Sequence, residues 1–130
     1  MNIENMKILR DHLAGLPAKR INMENYYGWI DGKWFTDEGS LKESPIFTSC
    51  GTCACIAGWA KAIFDPTNTG GAYEVAQQVL GLSDRNAMDL FTPDVSWHTL
   101  TKDHVLKVLD IAIATGGIIN WDAVVGEDDE

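Results

Sequence analysis

Ser49-Cys50-Gly51-Thr52-Cys53-Ala54-Cys55-Ile56-Ala57-Gly58-Trp59-Ala60 is the stretch whose reading decides the fold. It holds all three cysteines of the chain, the densest run of small residues and a tryptophan close behind them. Read as a helix from about Thr52 to Phe64, it places Ala54, Gly58 and Ala62 on one stripe and Cys55, Trp59 and Ile63 on the next, because residues three and four apart share a face. Lys61 is the one charged residue between Cys50 and Phe64, and a helix that is apolar nearly all round is a buried one. Glycine in mid-helix costs about 1 kcal/mol relative to alanine, so Gly58 marks a point where another backbone comes close. Asp65-Pro66 ends the element, since the residue before a proline is pushed out of the α region.

The cysteines admit three readings. Cys50, Cys53 and Cys55 could supply thiolates to zinc, with His98 or His104 completing a tetrahedron. The second ligand cluster usual for such sites is missing, and on one helix Cys53 and Cys55 point about 200° apart. Alternatively, Cys50 or Cys53 is a nucleophile favoured by a helix N-terminus, with His98 or His104 as its base, which defines a cysteine-dependent hydrolase. Cys50-Gly51-Thr52-Cys53 is similar to the Cys-Gly-Ser-Cys segment of papain-like proteases, with Cys53 at the nucleophile's position. That family's aromatic residue after the nucleophile is Ala54 here, no glutamine precedes it, and both histidines follow too closely. The third reading takes Cys53 and Cys55 as small core residues. It leaves no catalytic residue and no metal or other cofactor assigned.

The pattern Cys-Gly-Thr-x-Ala-Cys-x-x-Gly-Trp-Ala, Cys50 to Ala60, resembles the signature of a family of small bacteriophage and bacterial proteins that carries no assigned activity. Three further segments share the resemblance: Asn22-Met23, Leu80-Gly81-Leu82 leading to Ala87 and Leu90-Phe91-Thr92-Pro93, and Gly117-Ile118-Ile119-Asn120-Trp121. It implies a context, a phage accessory protein in the host cytoplasm, and no mechanism.

The net charge is −9, from 19 acids and 10 bases. Four of the acids are the tail Glu127-Asp128-Asp129-Glu130, so the body carries about half of the excess. Such a surface argues against neutralising nucleic-acid phosphates and suits a partner with a basic surface. A length of 130 residues fits one domain, taken as 1–126, followed by the acidic tail 127–130. No run approaches the ~20 apolar residues of a membrane span. The start of the chain lacks the basic and apolar regions of a signal peptide. A cytoplasmic setting with reduced thiols follows as the expectation.

Along the chain, residues 2–15 predict a first helix, with Met6, Leu9, Leu13 and Leu16 inward, Asn2 as N-cap and His12 at the edge of the apolar stripe. Asn22 opens a short helical turn. Asp31-Gly32 between aromatic flanks predicts a β-hairpin at about 27–36, and 37–48 reads as loop. Tyr26, Tyr27, Trp29, Trp34 and Phe35 place five of the twelve aromatic residues within ten positions. They are a lid on the core or a recognition surface, since tyrosine and tryptophan anchor interfaces. Gly70-Gly71 precedes a helix without a Walker lysine. Residues 72–80, 84–91 and 102–115 predict three more helices, with Gly81 ending the first, Ser83 and Thr101 as N-caps, and His104 in the first turn of the last. The pair 72–80 and 84–91 has a helix-turn-helix outline, but Asp84 and Asp89 are wrong for reading DNA. Residues 118–125 form an extended piece or a final turn, with Trp121 folded back.

The sequence therefore predicts a mainly α fold: about five short helices round a central apolar helix at about 52–64, with a small aromatic β-hairpin. Its functional expectation is a small acidic interaction protein, non-enzymatic, such as a phage factor inhibiting a host-defence protein. The alternatives are the cysteine-dependent hydrolase and a binder of a nucleotide-like small ligand.

Overall fold

The computed structural model describes residues 1–24, 26–31, 33–34, 40–42, 44–93 and 100–125, with Thr48 described by its backbone alone. In chain order its elements are α1 (Ile3–Ala14), a 3-10 turn (Ala18–Arg20), β1 (Tyr27–Trp29), α2 (Pro45–Thr48), β2 (Thr52–Ala54), α3 (Ile56–Phe64), α4 (Ala72–Leu80), α5 (Asp84–Phe91), α6 (Lys102–Thr115) and α7 (Trp121–Val125). The fold is mainly α, with one small antiparallel strand pair. Gly32, Phe35, Trp97, His98 and the tail 127–130 lie outside the described residues.

Local chemistry explains most of the helix ends. The Asn2 side chain accepts from the Asn5 amide at 3.0 Å. The Ser83 hydroxyl accepts from the Asn86 amide at 3.1 Å. Thr101 and His104 form a reciprocal cap: the Thr101 hydroxyl accepts from the His104 amide at 3.3 Å, and His104 Nδ1 accepts from the Thr101 amide at 3.0 Å. Each cap satisfies donors that the first helical turn leaves open. Gly81 closes α4 with a φ of +63°, a left-handed conformation that glycine adopts without strain.

Two expectations are corrected. Thr52–Ala54 is a strand and not the first turn of a helix; it pairs antiparallel with β1 in the register Tyr27–Ala54, Gly28–Cys53 and Trp29–Thr52. The helix begins only at Ile56, with Cys55 as N-cap. Both faces of β2 are buried, so the alternation that marks a half-exposed strand is absent. Residues 45–48, read as loop, form the helix α2, opened by Ser44 and with Pro45 in its first turn.

The aromatic segment does supply a strand, β1, whose ladder partner is β2. Across the Asp31 turn the pairing is a single bridge, Gly28 to Trp34. Asn22 opens a side-chain-closed turn, its Oδ1 accepting from the Glu24 amide at 2.8 Å.

Helix α3 is the centre. Every residue from Ile56 to Ala62 is buried, and α4, α1, α5 and β2 pack around it. Lys61 is fully buried, its ammonium donating to the Gly70 carbonyl at 2.6 Å. Gly58 is the expected close approach: a Cβ built there would lie 2.0 Å from the Tyr26 carbonyl oxygen. The next residue locks the contact, since the Tyr27 hydroxyl donates to the Gly58 carbonyl at 2.8 Å.

Helix α1 lies along α6. Arg10 Nε donates to Asp110 at 2.9 Å, and the Lys102 ammonium donates to the carbonyls of Ala14 and Leu16 at the end of α1. Trp121 folds back as expected, its indole donating to the Asp89 carbonyl at 2.8 Å. Among the described residues no helix is long and apolar enough to cross a membrane.

Candidate functional site

The three cysteines stand in three environments. Cys50 is exposed in the turn before β2, Cys53 is buried on the strand, and Cys55 is buried at the start of α3; none is in a disulfide. Burial pushes the Cys53 thiol up from its ordinary range, against a smaller opposing pull from a hydrogen bond with Asn22 and from the Arg20 charge. A buried thiol held neutral is not an activated nucleophile. His104 is buried and its Nδ1 is committed to capping α6. Among the described residues no three histidine, cysteine, aspartate or glutamate side chains gather closely enough to hold a metal ion.

These environments set an expected result. Under native conditions at neutral pH a thiol reagent labels Cys50 and leaves Cys53 and Cys55 unlabelled; after denaturation all three react. The folded state keeps the Cys53 proton longer than the unfolded chain does. Its contribution to stability is therefore whole below the ordinary thiol pKa and is lost as pH rises through the folded value. Mass spectrometry of labelled protein checks the first statement, and denaturation across alkaline pH the second. Rapid native labelling of Cys53 would return the hydrolase reading to consideration.

The loop that carries Cys50 is shaped by a residue to which the sequence analysis gave no role. Arg20 Nε donates to the Thr52 carbonyl at 3.0 Å. Its Nη2 reaches the Ile46 carbonyl at 3.1 Å, the Ser49 carbonyl at 3.4 Å and the Thr52 hydroxyl at 3.0 Å. The guanidinium carbon lies 5.0 Å from the Trp59 ring centroid, a cation–π distance. The Trp59 indole donates to the Arg20 carbonyl at 2.9 Å. A planar fork of donors suits several carbonyls at once, as a lysine's point charge does not. The only sequence signal was the pair Lys19-Arg20 after Pro17, in an acidic chain.

The aromatic candidates divide. Tyr27 is buried and belongs to the core; Tyr26 is half-buried and packs against it. Trp29 is half-buried, whereas Trp34 is 73% exposed and Ile30 39% exposed. Phe35 lies outside the described residues. Trp29 and Ile30 line an open groove of about 550 Å³ together with Lys19, Asp31, Cys50 and Gly51. The Trp29 ring lies over Gly51, where an added Cβ would meet it at 3.8 Å. The groove thus offers an apolar floor with one acid, one base and one thiol at its rim. It can receive an amphipathic side chain, and the exposed Trp34 follows it closely in sequence.

Compared with known proteins, the chain matches no family model, no curated protein and no solved structure.

Proposed function

We propose that this chain is a small acidic interaction protein, not an enzyme, that docks a protein partner with a basic surface through Trp34, Ile30 and the Trp29 groove. The observation that carries the proposal is the exposure of Trp34 and of Ile30, four positions apart in sequence. An indole left in water is the kind of anchor that dominates interfaces. The charge of −9 supplies attraction and steering toward a basic surface. The resemblance carried by Cys50 to Ala60 extends the proposal to a phage accessory factor that binds and inhibits a host protein.

A paired capture experiment tests it. Wild-type chain used as bait should retain a partner at low salt, release it at high salt, and lose it when Trp34→Ser is the bait. Absence of any partner at low salt, or equal capture by Trp34→Ser, would overturn it. The groove also gives the small-ligand reading a location, since its volume falls within the ~300–1,000 Å³ of ligand pockets. A ligand that raises the melting temperature of wild type and of Trp34→Ser alike would favour that reading.

A further inference from the structure

Three groups meet at the indole of Trp59. The Arg20 guanidinium carbon stands 5.0 Å from its ring centroid. The His12 imidazole stands 5.5 Å away, with the ring planes tilted by 50°. The indole nitrogen is bonded to the Arg20 carbonyl, so the ring cannot turn aside without breaking that bond. The same guanidinium ties down the carbonyls of Ile46, Ser49 and Thr52. It therefore holds the loop bearing Cys50 and Gly51, which forms one wall of the groove. We infer that His12, Trp59 and Arg20 form an acid-operated latch: protonation of His12 sets a second cation beside the one that fastens the loop, and the segment 46–52, from α2 to the start of β2, loosens.

The charges around His12 set the sign. From the 3-10 turn, Arg20 is the charged group whose field reaches the imidazole. From α3 the neighbour is the neutral Trp59. From α6, Lys102 sits at the end of α1 with its ammonium on two carbonyls, and Asp110 is engaged by Arg10. On α1 itself, Asp11 is exposed and lies 3.7 Å from Arg10. Helix α4 meets the opposite end of α1, at Asn2 and Asn5.

A cation in the last turn of a helix, or over an indole, is favoured by about 0.3–1 kcal/mol. Burial against the ring, and then the Arg20 charge, work the other way and prevail, leaving His12 below its ordinary pKa. His12 therefore takes up its proton more readily when the loop is open. The latch is at full strength above the ordinary histidine range and weakens as pH falls through it. His12 is exposed, so solvent screens the repulsion and weakens it.

Hydrogen exchange on the full chain, at about pH 7.5 and about pH 5.5 and corrected for intrinsic rates, tests the latch across the histidine range. Protection of amides 46–52 should fall severalfold at the lower pH, while 72–91 stays unchanged. In His12→Gln the 46–52 amides should show no such change. Constant protection at 46–52 in wild type, or an equal fall in His12→Gln, overturns the proposal. An NMR titration of the wild-type His12 ring needs no variant to fold under both conditions. A midpoint below that of free histidine supports the latch, and one at or above it overturns it.

Discussion

Replacing Gly58 with alanine should lower the melting temperature by about 10–15 °C, a loss of about 3 kcal/mol in a domain of this size. The added methyl would sit 2.0 Å from the Tyr26 carbonyl oxygen and 3.0 Å from its carbon. Those are backbone atoms, so no rotamer change relieves the clash. The Tyr27 hydroxyl bond to the Gly58 carbonyl prevents β1 from simply lifting away. Alanine's helix propensity returns only about 1 kcal/mol, so the contact decides the outcome. Gly116→Ala is the control. Its φ of +74° is strained for a side chain, but an added Cβ there has nothing within 4 Å. It should cost about 1–2 kcal/mol, through backbone strain alone. Thermal denaturation of the two variants distinguishes the mechanisms. A Gly58→Ala protein as stable as wild type would mean that β1 does not rest on α3.

Arg20→Ala should cost about 3–4 kcal/mol and expose the cysteine loop. A hydrogen bond from a charged donor contributes about 1.5–3 kcal/mol, and those of one side chain do not add independently. Arg20 makes such bonds to three carbonyls and to the Thr52 hydroxyl, and its guanidinium also packs on Trp59. Removing it strands the Thr52 carbonyl on the side facing Arg20. Arg20→Lys keeps the charge and loses the fork, so it should recover only about 1 kcal/mol of the loss. Denaturant unfolding gives the stability. Native thiol labelling gives the local effect, with Cys53 becoming reactive in Arg20→Ala. Unchanged protection of Cys53 would show that the strand ladder alone holds the loop.

Much of the helical framework was legible because its signals are local. Asn2, Ser83 and Thr101 cap the helices that their positions predict, and Gly81 ends α4. The close approach at Gly58 was legible too, since glycine inside an otherwise apolar helix has few other reasons to be there. Thr52–Ala54 was not. A short run of small residues buried on both faces has the same pattern as a strand or a helix, and the arbiter is β1, more than twenty positions earlier. The start of α3 was hidden as well, because Cys55 caps it without a side-chain hydrogen bond. Ser44-Pro45 was a readable helix start passed over within a loop-like stretch. At the candidate site, the sequence located the aromatic segment but could not separate the buried Tyr27 from the exposed Trp34. Arg20 left only the Lys19-Arg20 pair as a signal, since one residue has no periodicity and its partners come from 46–52 and Trp59.

The docking of α1 on α6 has a consequence for synthesis. Helix α1 is made well before its long partner α6: Arg10 waits for Asp110, and the carbonyls of Ala14 and Leu16 wait for Lys102. Until then the apolar stripe of Met6, Leu9 and Leu13 lacks its α6 cover, open to chaperones or to nascent neighbours. A chain halted near residue 100 would carry that stripe without its α6 cover, so nonsense truncations there should aggregate and not persist as smaller folded proteins.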